Sequence, residues 1–319
     1  MKKVVLVTGS AGFIGFHLSS YLLKEGYHVY GIDNFSSYYD VKLKKKRTKI
    51  LKKNKKYHFF QIDLTNKDKL IKFFQKKRIK TIIHLAAQPG VRLSFINREI
   101  YFKDNMIAFY NLMEICIKNK IKHFLYASSS SVYGESQTFP NKESNNTNEQ
   151  VSFYAATKKC NEIIASSYSK MCDTKFTGLR FFTVYGPLGR PDMALYKFTK
   201  NIIKKKKIDI YNKGNHYRDF TYIDDVVNLI FEIIKKKTTE LNNHEIFNIC
   251  YGKSIKLTKY INLIEKYIGM KSIKKFIKKQ NGDVFKTFGS NKKILKYTNY
   301  KINFKVEKGI KKFISEFEI

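Results

Sequence analysis

A chain of 319 residues with 43% hydrophobic and 15% aromatic residues carries enough apolar material to fill a core, which excludes wholesale disorder. Its formal charge of +36 invites a nucleic-acid reading, yet only seven of the 62 basic residues are arginines, and base readout leans on the arginine fork. The lysines are spread along the whole chain, so specific nucleic-acid binding is not expected, while weak attraction to polyanions is.

Short β-branched runs predict strands at 4–7, 28–32, 57–62, 81–85, 123–127 and 177–181. Amphipathic stretches predict helices at 13–25, 67–77, 105–118 and 154–171. Several of the strands are continuously apolar, as expected where helices cover both faces of a parallel sheet. Strand alternating with helix makes the fold class α/β, with a doubly wound parallel sheet. After Gly186-Pro187 the pieces shorten to 193–205, 208–211, 224–235 and 246–249, which predicts a smaller α/β domain over the sheet's carboxyl edge, where such folds bind ligands. The expected domains are 1–186 and 187–319, with the chain free to cross between them. The basic clusters at 44–47 and 204–207 read as solvated helix ends. No run of eighteen apolar residues exists, so no membrane span is expected. Cys116, Cys160, Cys172 and Cys250 have neither CxxC spacing nor histidine partners at metal-ligand spacing, so free thiols in the cytoplasm and no metal are expected.

Thr8-Gly9-Ser10-Ala11-Gly12-Phe13-Ile14-Gly15 follows the first strand directly and opens the first helix. Glycines in that place permit a tight turn, close approach of backbone to a pyrophosphate, and close helix–strand packing, with the phosphates resting on free helix N–H groups. The second strand ends at Asp33, about twenty residues on, where a carboxylate accepts bonds from a ribose diol. No arginine stands at that strand end to receive a 2′-phosphate, so the expected cofactor is NAD rather than NADP. Asp63-Leu64, after the third strand, is placed to flank the adenine.

Tyr154-Ala155-Ala156-Thr157-Lys158 opens a predicted helix, and the i, i+4 spacing puts phenol and ammonium on one face. A tyrosine of ordinary pKa, about 10, is a poor base at neutral pH; a lysine close by and a cationic nicotinamide would lower it to a working value. The hydroxyl run Ser128-Ser129-Ser130-Ser131, followed by Val132-Tyr133-Gly134, ends the fifth strand on the same carboxyl edge and can line a substrate cleft.

Together these motifs resemble the extended short-chain dehydrogenase/reductases, a Rossmann-fold group. Within that group, Gly31-Ile32-Asp33-Asn34, Tyr38-Tyr39-Asp40-Val41, His84-Leu85-Ala86-Ala87-Gln88, Arg180-Phe181-Phe182-Thr183-Val184-Tyr185-Gly186-Pro187, Gly189-Arg190-Pro191-Asp192, Arg218-Asp219-Phe220 and Gly282-Asp283-Val284 are similar to bacterial UDP-glucuronate 4-epimerases. The resemblance runs from the first strand almost to the C-terminus. It departs from the family pattern at Leu93, usually Tyr, at Tyr217, usually Arg, and at Asn281, usually Pro.

The resemblance implies that Tyr154 takes the proton of the sugar's 4-hydroxyl, that Lys158 lowers its pKa and holds the nicotinamide ribose, and that Ser129 bonds the same oxygen. It implies a tightly bound, recycled NAD held by Gly9, Gly12, Phe13, Ile14, Gly15, Asp33, Asn34, Asp63, Leu64, Leu85, Ala86, Ala87 and Asn105, together with Tyr154 and Lys158. A UDP-sugar is the implied substrate, met by Arg92, Ser130, Ser131 and Thr183, with Arg190 on the sugar carboxylate, Arg218 on the diphosphate and Asp283 on the uridine ribose. A homodimer is also expected.

Sister enzymes share the first oxidation. Decarboxylases of this superfamily usually place Glu just before Val-Tyr-Gly, and dehydratases place Asp-Glu there. Ser130-Ser131 occupy those positions here. Short hydroxyls can hold a carboxylate instead, and an arginine fork such as Arg190 suits one. That favours uronate epimerisation over a neutral UDP-hexose epimerase. An NAD-binding regulator without catalysis is disfavoured by the intact Tyr154–Lys158 pair.

Overall fold

The computed structural model describes residues 3–75, 77–278 and 282–317, so Asn281 and residue 76 lie outside the described chain. In chain order the elements are β1 (Val4–Thr8), α1 (Phe13–Lys24), β2 (His28–Asp33), α2 (Val41–Leu51), β3 (Tyr57–Gln61), α3 (Lys67–Phe74), β4 (Thr81–His84), α4 (Arg98–Tyr101), α5 (Ala108–Lys118), β5 (His123–Ser129), α6 (Phe153–Tyr168) and β6 (Lys175–Phe181). They continue with β7 (Thr183–Tyr185), α7 (Ala194–Ile203), β8 (Lys207–Tyr211), β9 (Tyr217–Tyr222), α8 (Ile223–Lys235), β10 (His244–Ile249), β11 (Ser254–Lys256), α9 (Leu257–Ile268), β12 (Ile273–Ile277), α10 (Lys292–Thr298) and α11 (Val306–Ser315).

The chain forms two compact units. The first takes Met1–Gly134, Asn146–Arg180 and Ile230–Phe247; the second takes Glu135–Asn145, Phe181–Leu229 and Asn248–Ile319. The chain therefore passes between them several times.

The first unit is built on a seven-stranded sheet in the order β10-β6-β5-β4-β1-β2-β3. The pairs β1–β2, β2–β3, β1–β4 and β4–β5 are parallel, as the doubly wound reading expects. Leu6, Ile82 and Phe124 from the strands are fully buried with Phe109, Leu112, Met113 and Cys116 of α5 and Leu70 of α3. This core explains the continuously apolar strands, since helices cover them.

The second unit holds a three-stranded sheet, β11-β9-β7, and a parallel pair, β12–β8. β9 runs parallel to β7 and antiparallel to β11. Its core is aromatic: Phe220 stacks on Tyr260 at 3.8 Å between ring centroids, and Tyr222 on Phe304 at 4.3 Å.

One expectation is corrected. The basic cluster at 44–47 is not a solvated helix end: Lys44 and Arg47 are buried, with Thr48 and Leu51, along one face of α2. Their apolar stems supply the packing that leucines would give elsewhere.

Candidate active site

The glycine loop bends between β1 and α1. Gly9 sits at φ +68°, and a Cβ there would lie 2.7 Å from the Ala86 nitrogen; a Cβ on Gly15 would strike the Gly9 carbonyl oxygen. The α1 N-terminus starts at Gly12 with no side-chain cap, which leaves its first N–H groups to a ligand. Phe13 is buried and Ile14 half-buried at that first turn.

Asp33 ends β2 almost buried. One of its oxygens accepts from the Ala11 N–H at 3.1 Å and the other from the Phe35 N–H at 2.8 Å. Asp63 is exposed beyond β3, accepting from Asn34 Nδ2 at 3.1 Å and from Thr65, while Leu64 beside it is buried. Partial desolvation by its neighbours opposes the charge, but the hydrogen bonds from Thr65 and Asn34 outweigh it and hold the Asp63 carboxyl below its usual range. Sequence reasoning placed no arginine at this end. The structure brings one from α2: Arg47 donates to the Ala11 carbonyl at 3.0 Å and to the Tyr39 hydroxyl at 2.7 Å, so it braces the loop. Glycines at the points where a Cβ would clash, a helix N-terminus without a side-chain cap and a fixed carboxylate fit the pyrophosphate and ribose of NAD.

Leu85, Ala86 and Ala87 follow β4, half-buried. The Ala86 N–H donates to Thr8 Oγ1 at 3.3 Å, and that hydroxyl lies 2.7 Å from His84 Nδ1. Burial, with Lys158 adding its charge, pushes the His84 pKa down to about 3, so the ring is neutral. Asn105 lies in a π-helical turn before α5, buried, accepting from the Gln88 N–H at 2.8 Å and donating to Thr157 Oγ1 at 3.0 Å. It ties the loop after β4 to α6.

The helix α6 is capped by Ser152, whose hydroxyl accepts from the Ala155 N–H at 3.1 Å. Tyr154 and Lys158 stand one turn apart on it. The Tyr154 ring is half-buried and meets Tyr101 edge-on, at 6.0 Å between centroids. Lys158 is 2% exposed, and its ammonium donates to the Ala127 carbonyl of β5 at 2.9 Å. Burial pushes its pKa down to about 8. It is thus charged at neutral pH in a site of low dielectric, where a neighbouring phenolate gains most from it. Ser129 is buried at the end of β5, its hydroxyl accepting from the Ser131 N–H at 3.1 Å. Ser130 and Ser131 open the turn that follows, half-buried.

The structure brings Tyr154, Lys158, Ser129, Ser130 and Ser131 together in the first unit with the glycine loop; Arg92 is exposed on a short 3-10 turn of that unit. Thr183, Arg190, Arg218 and Asp283 belong to the second unit. There Arg190 forks onto Asp192, Nε to Oδ1 at 3.1 Å and Nη2 to Oδ2 at 2.5 Å. Arg218 donates to the carbonyls of Tyr217 at 2.9 Å and Phe285 at 3.2 Å, with His216 Nδ1 at 3.0 Å from its other nitrogen. Thr183 and Asp283 are half-buried.

Comparison with known proteins converges on one family. The model of the NAD dependent epimerase/dehydratase family matches residues 5–250. The chain belongs to this family. A UDP-glucuronate 4-epimerase of Thermodesulfobacterium geofontis is 38% identical over 311 residues, covering 97% of this chain and 94% of its own. The structure of a Bacillus cereus UDP-glucuronic acid 4-epimerase in complex with UDP-glucuronic acid and NAD is similar at 32% identity and TM-score 0.91, covering 98% of both chains. A Thermotoga maritima UDP-glucose 4-epimerase with UDP-glucose is similar at 27% identity and TM-score 0.89, again covering 98% of both. The protein is an NAD-dependent epimerase of the α/β doubly wound class. Among its described residues no helix is long and apolar enough to cross a membrane.

Sequence reasoning missed Arg47 and Glu162. The second had a readable signal: it lies four residues after Lys158, on the same helix face.

Proposed function

We propose that the protein inverts C4 of UDP-glucuronate, giving UDP-galacturonate through a 4-keto sugar. The observation that carries the reading is the run of three hydroxyls from the end of β5 into the turn that follows, Ser129 to Ser131, in the same unit as Tyr154 and the buried Lys158. Those positions hold no carboxylic acid, the group that the sister decarboxylases and dehydratases are expected to place there.

Tyr154 takes the proton of the 4-hydroxyl, and the Lys158 ammonium stabilises the resulting phenolate. Ser129 bonds the same oxygen, while Asp33, Asp63 and the glycine loop hold the cofactor. Bound NAD supplies the group that accepts hydrogen from C4 and returns it to the other face of the sugar. Ser130, Ser131, Thr183 and Arg190 hold the sugar carboxylate, Arg218 the diphosphate, Asp283 the uridine ribose, and Arg92 the substrate's rim. The working form is taken as a cytoplasmic homodimer; four free thiols fit a reducing compartment.

The fork between Arg190 and Asp192 favours a second reading, a neutral UDP-hexose epimerase, because Asp192 already occupies the arginine. Incubation with UDP-glucuronate, UDP-galacturonate and UDP-glucose, followed by separation of products, decides. Interconversion of the two uronates with little change in UDP-glucose is the expected result. Turnover of UDP-glucose alone would establish the second reading.

A further inference from the structure

Glu162 is a carboxylate 2% exposed in the interior of the first unit, and nothing in the reaction above uses it. It follows Lys158 by one helical turn on α6. Its Oε1 accepts from the Ser128 hydroxyl at 2.6 Å and from Arg180 Nε at 2.8 Å, and its Oε2 accepts from Arg180 Nη2 at 2.9 Å. Arg180, on β6 and equally buried, donates through Nη1 to the Tyr133 hydroxyl at 3.0 Å, with its guanidinium 4.8 Å from the Tyr133 ring centre. Burial opposes the arginine's charge, but the Glu162 bonds outweigh it and raise the Arg180 pKa.

The Glu162–Arg180 pair thus ties three pieces of chain to β6: α6, which carries Tyr154 and Lys158; the end of β5, which carries Ser129; and, through Arg180, the turn that Tyr133 closes. Lys158 grips β5 at the Ala127 carbonyl, and one turn later Glu162 grips it at Ser128. These two bonds hold helix and strand at consecutive residues immediately before Ser129. A buried ion pair by itself is weak evidence for stability, since desolvation consumes much of its Coulomb gain. Fixed geometry is what it adds here.

We propose that Glu162, forked by Arg180, is a positioning residue for the C4 chemistry: through Ser128 it sets Ser129 against Tyr154 across the reacting oxygen. The proposal rests on the function proposed above. Displacing a reacting group by about 1 Å costs on the order of a hundredfold in rate, so the loss should fall on the chemical step.

The test uses the full chain with its bound NAD. Ser128→Ala removes only the hydroxyl that links strand to carboxylate, and Glu162→Gln keeps the shape but loses the charge. Turnover of UDP-glucuronate, KM, NAD content after purification and Tm are measured for both. The expected result is a fall in kcat of about tenfold for Ser128→Ala and about a hundredfold for Glu162→Gln, with KM within about twofold and NAD content unchanged. If Glu162→Gln does not fold, Ser128→Ala alone decides. A lowered Tm with kcat within about twofold of the parent would overturn the proposal, since the clamp would then be merely structural. Parallel losses of kcat, substrate affinity and NAD content would overturn it as general loosening. A parent enzyme silent on every UDP-sugar would instead refute the proposed function.

Discussion

The two units hold their charged groups in opposite ways. In the first, Lys158 sits on a β5 carbonyl and Asp33 on two backbone N–H groups, so these groups are fixed before any ligand arrives. In the second, Arg190 is engaged by Asp192, and Arg218 by backbone carbonyls and His216. If Arg190 and Arg218 meet the substrate as proposed, its anions must displace or share those partners. The proposed chemistry would then be preorganised in one unit, and specificity in the other would depend on exchanging partners. Preorganised groups should show their effect in kcat; exchanged ones should show theirs in the difference between substrates.

The largest loss is expected at Tyr154. Tyr154→Phe should lower epimerisation by about a thousandfold, within the range for loss of a general base, and leave NAD content intact. Steady-state turnover and cofactor content check this. Activity within about tenfold of the parent would mean that another group takes the proton.

Lys158 tests what preorganisation costs. Its folded pKa, about 8, lies below the unfolded value of about 10.4, so between these limits the unfolded chain binds the extra proton. Stability rises with pH where the unfolded state holds more protons. The penalty of the buried ammonium is thus fully present below pH 8 and fades as pH climbs toward 10.4. In protein stripped of NAD, Lys158→Met should be more stable than the parent at pH 7 by up to about 3 kcal/mol, with the gap narrowing above pH 8. Urea unfolding across pH measures it, and a gap independent of pH would refute the assignment.

Arg190 should give the smallest of these three effects. Losing a charge-assisted pair to the sugar carboxylate costs about ten- to hundredfold in kcat/KM. Arg190→Met should therefore weaken turnover of UDP-glucuronate by that factor and leave any turnover of UDP-glucose unchanged. Equal losses on both would place Arg190 with Asp192 as loop architecture.

Much of the first unit was legible in the sequence because its signals are local. The glycine loop, the hydroxyl run and the Tyr154–Lys158 spacing each lie within a few residues, Asp33 closes a readable strand, and several strands, β1 most clearly, are rich in apolar or β-branched residues. What was not legible is either long-range or disguised. The buried face of α2 runs Lys44, Arg47, Thr48, Leu51, which is helical spacing written in residues that usually face water. The strand β9 was missed because Tyr217–Tyr222 alternates no more clearly than a loop, and its pairing with β7 and β11 joins distant segments. The segment Glu135–Asn145 joins the second unit although its neighbours on both sides belong to the first, and no local pattern announces that.

In the proposed reaction C4 is oxidised and then reduced again by the same bound cofactor. UDP-glucuronate carrying deuterium at C4, turned over to equilibrium in ordinary water, tests it most directly. The product UDP-galacturonate should keep the deuterium at C4 with no solvent hydrogen at C4 or C5. Solvent hydrogen appearing at C4 would rule this route out, because the inversion would then proceed by proton exchange rather than through the Tyr154-assisted oxidation.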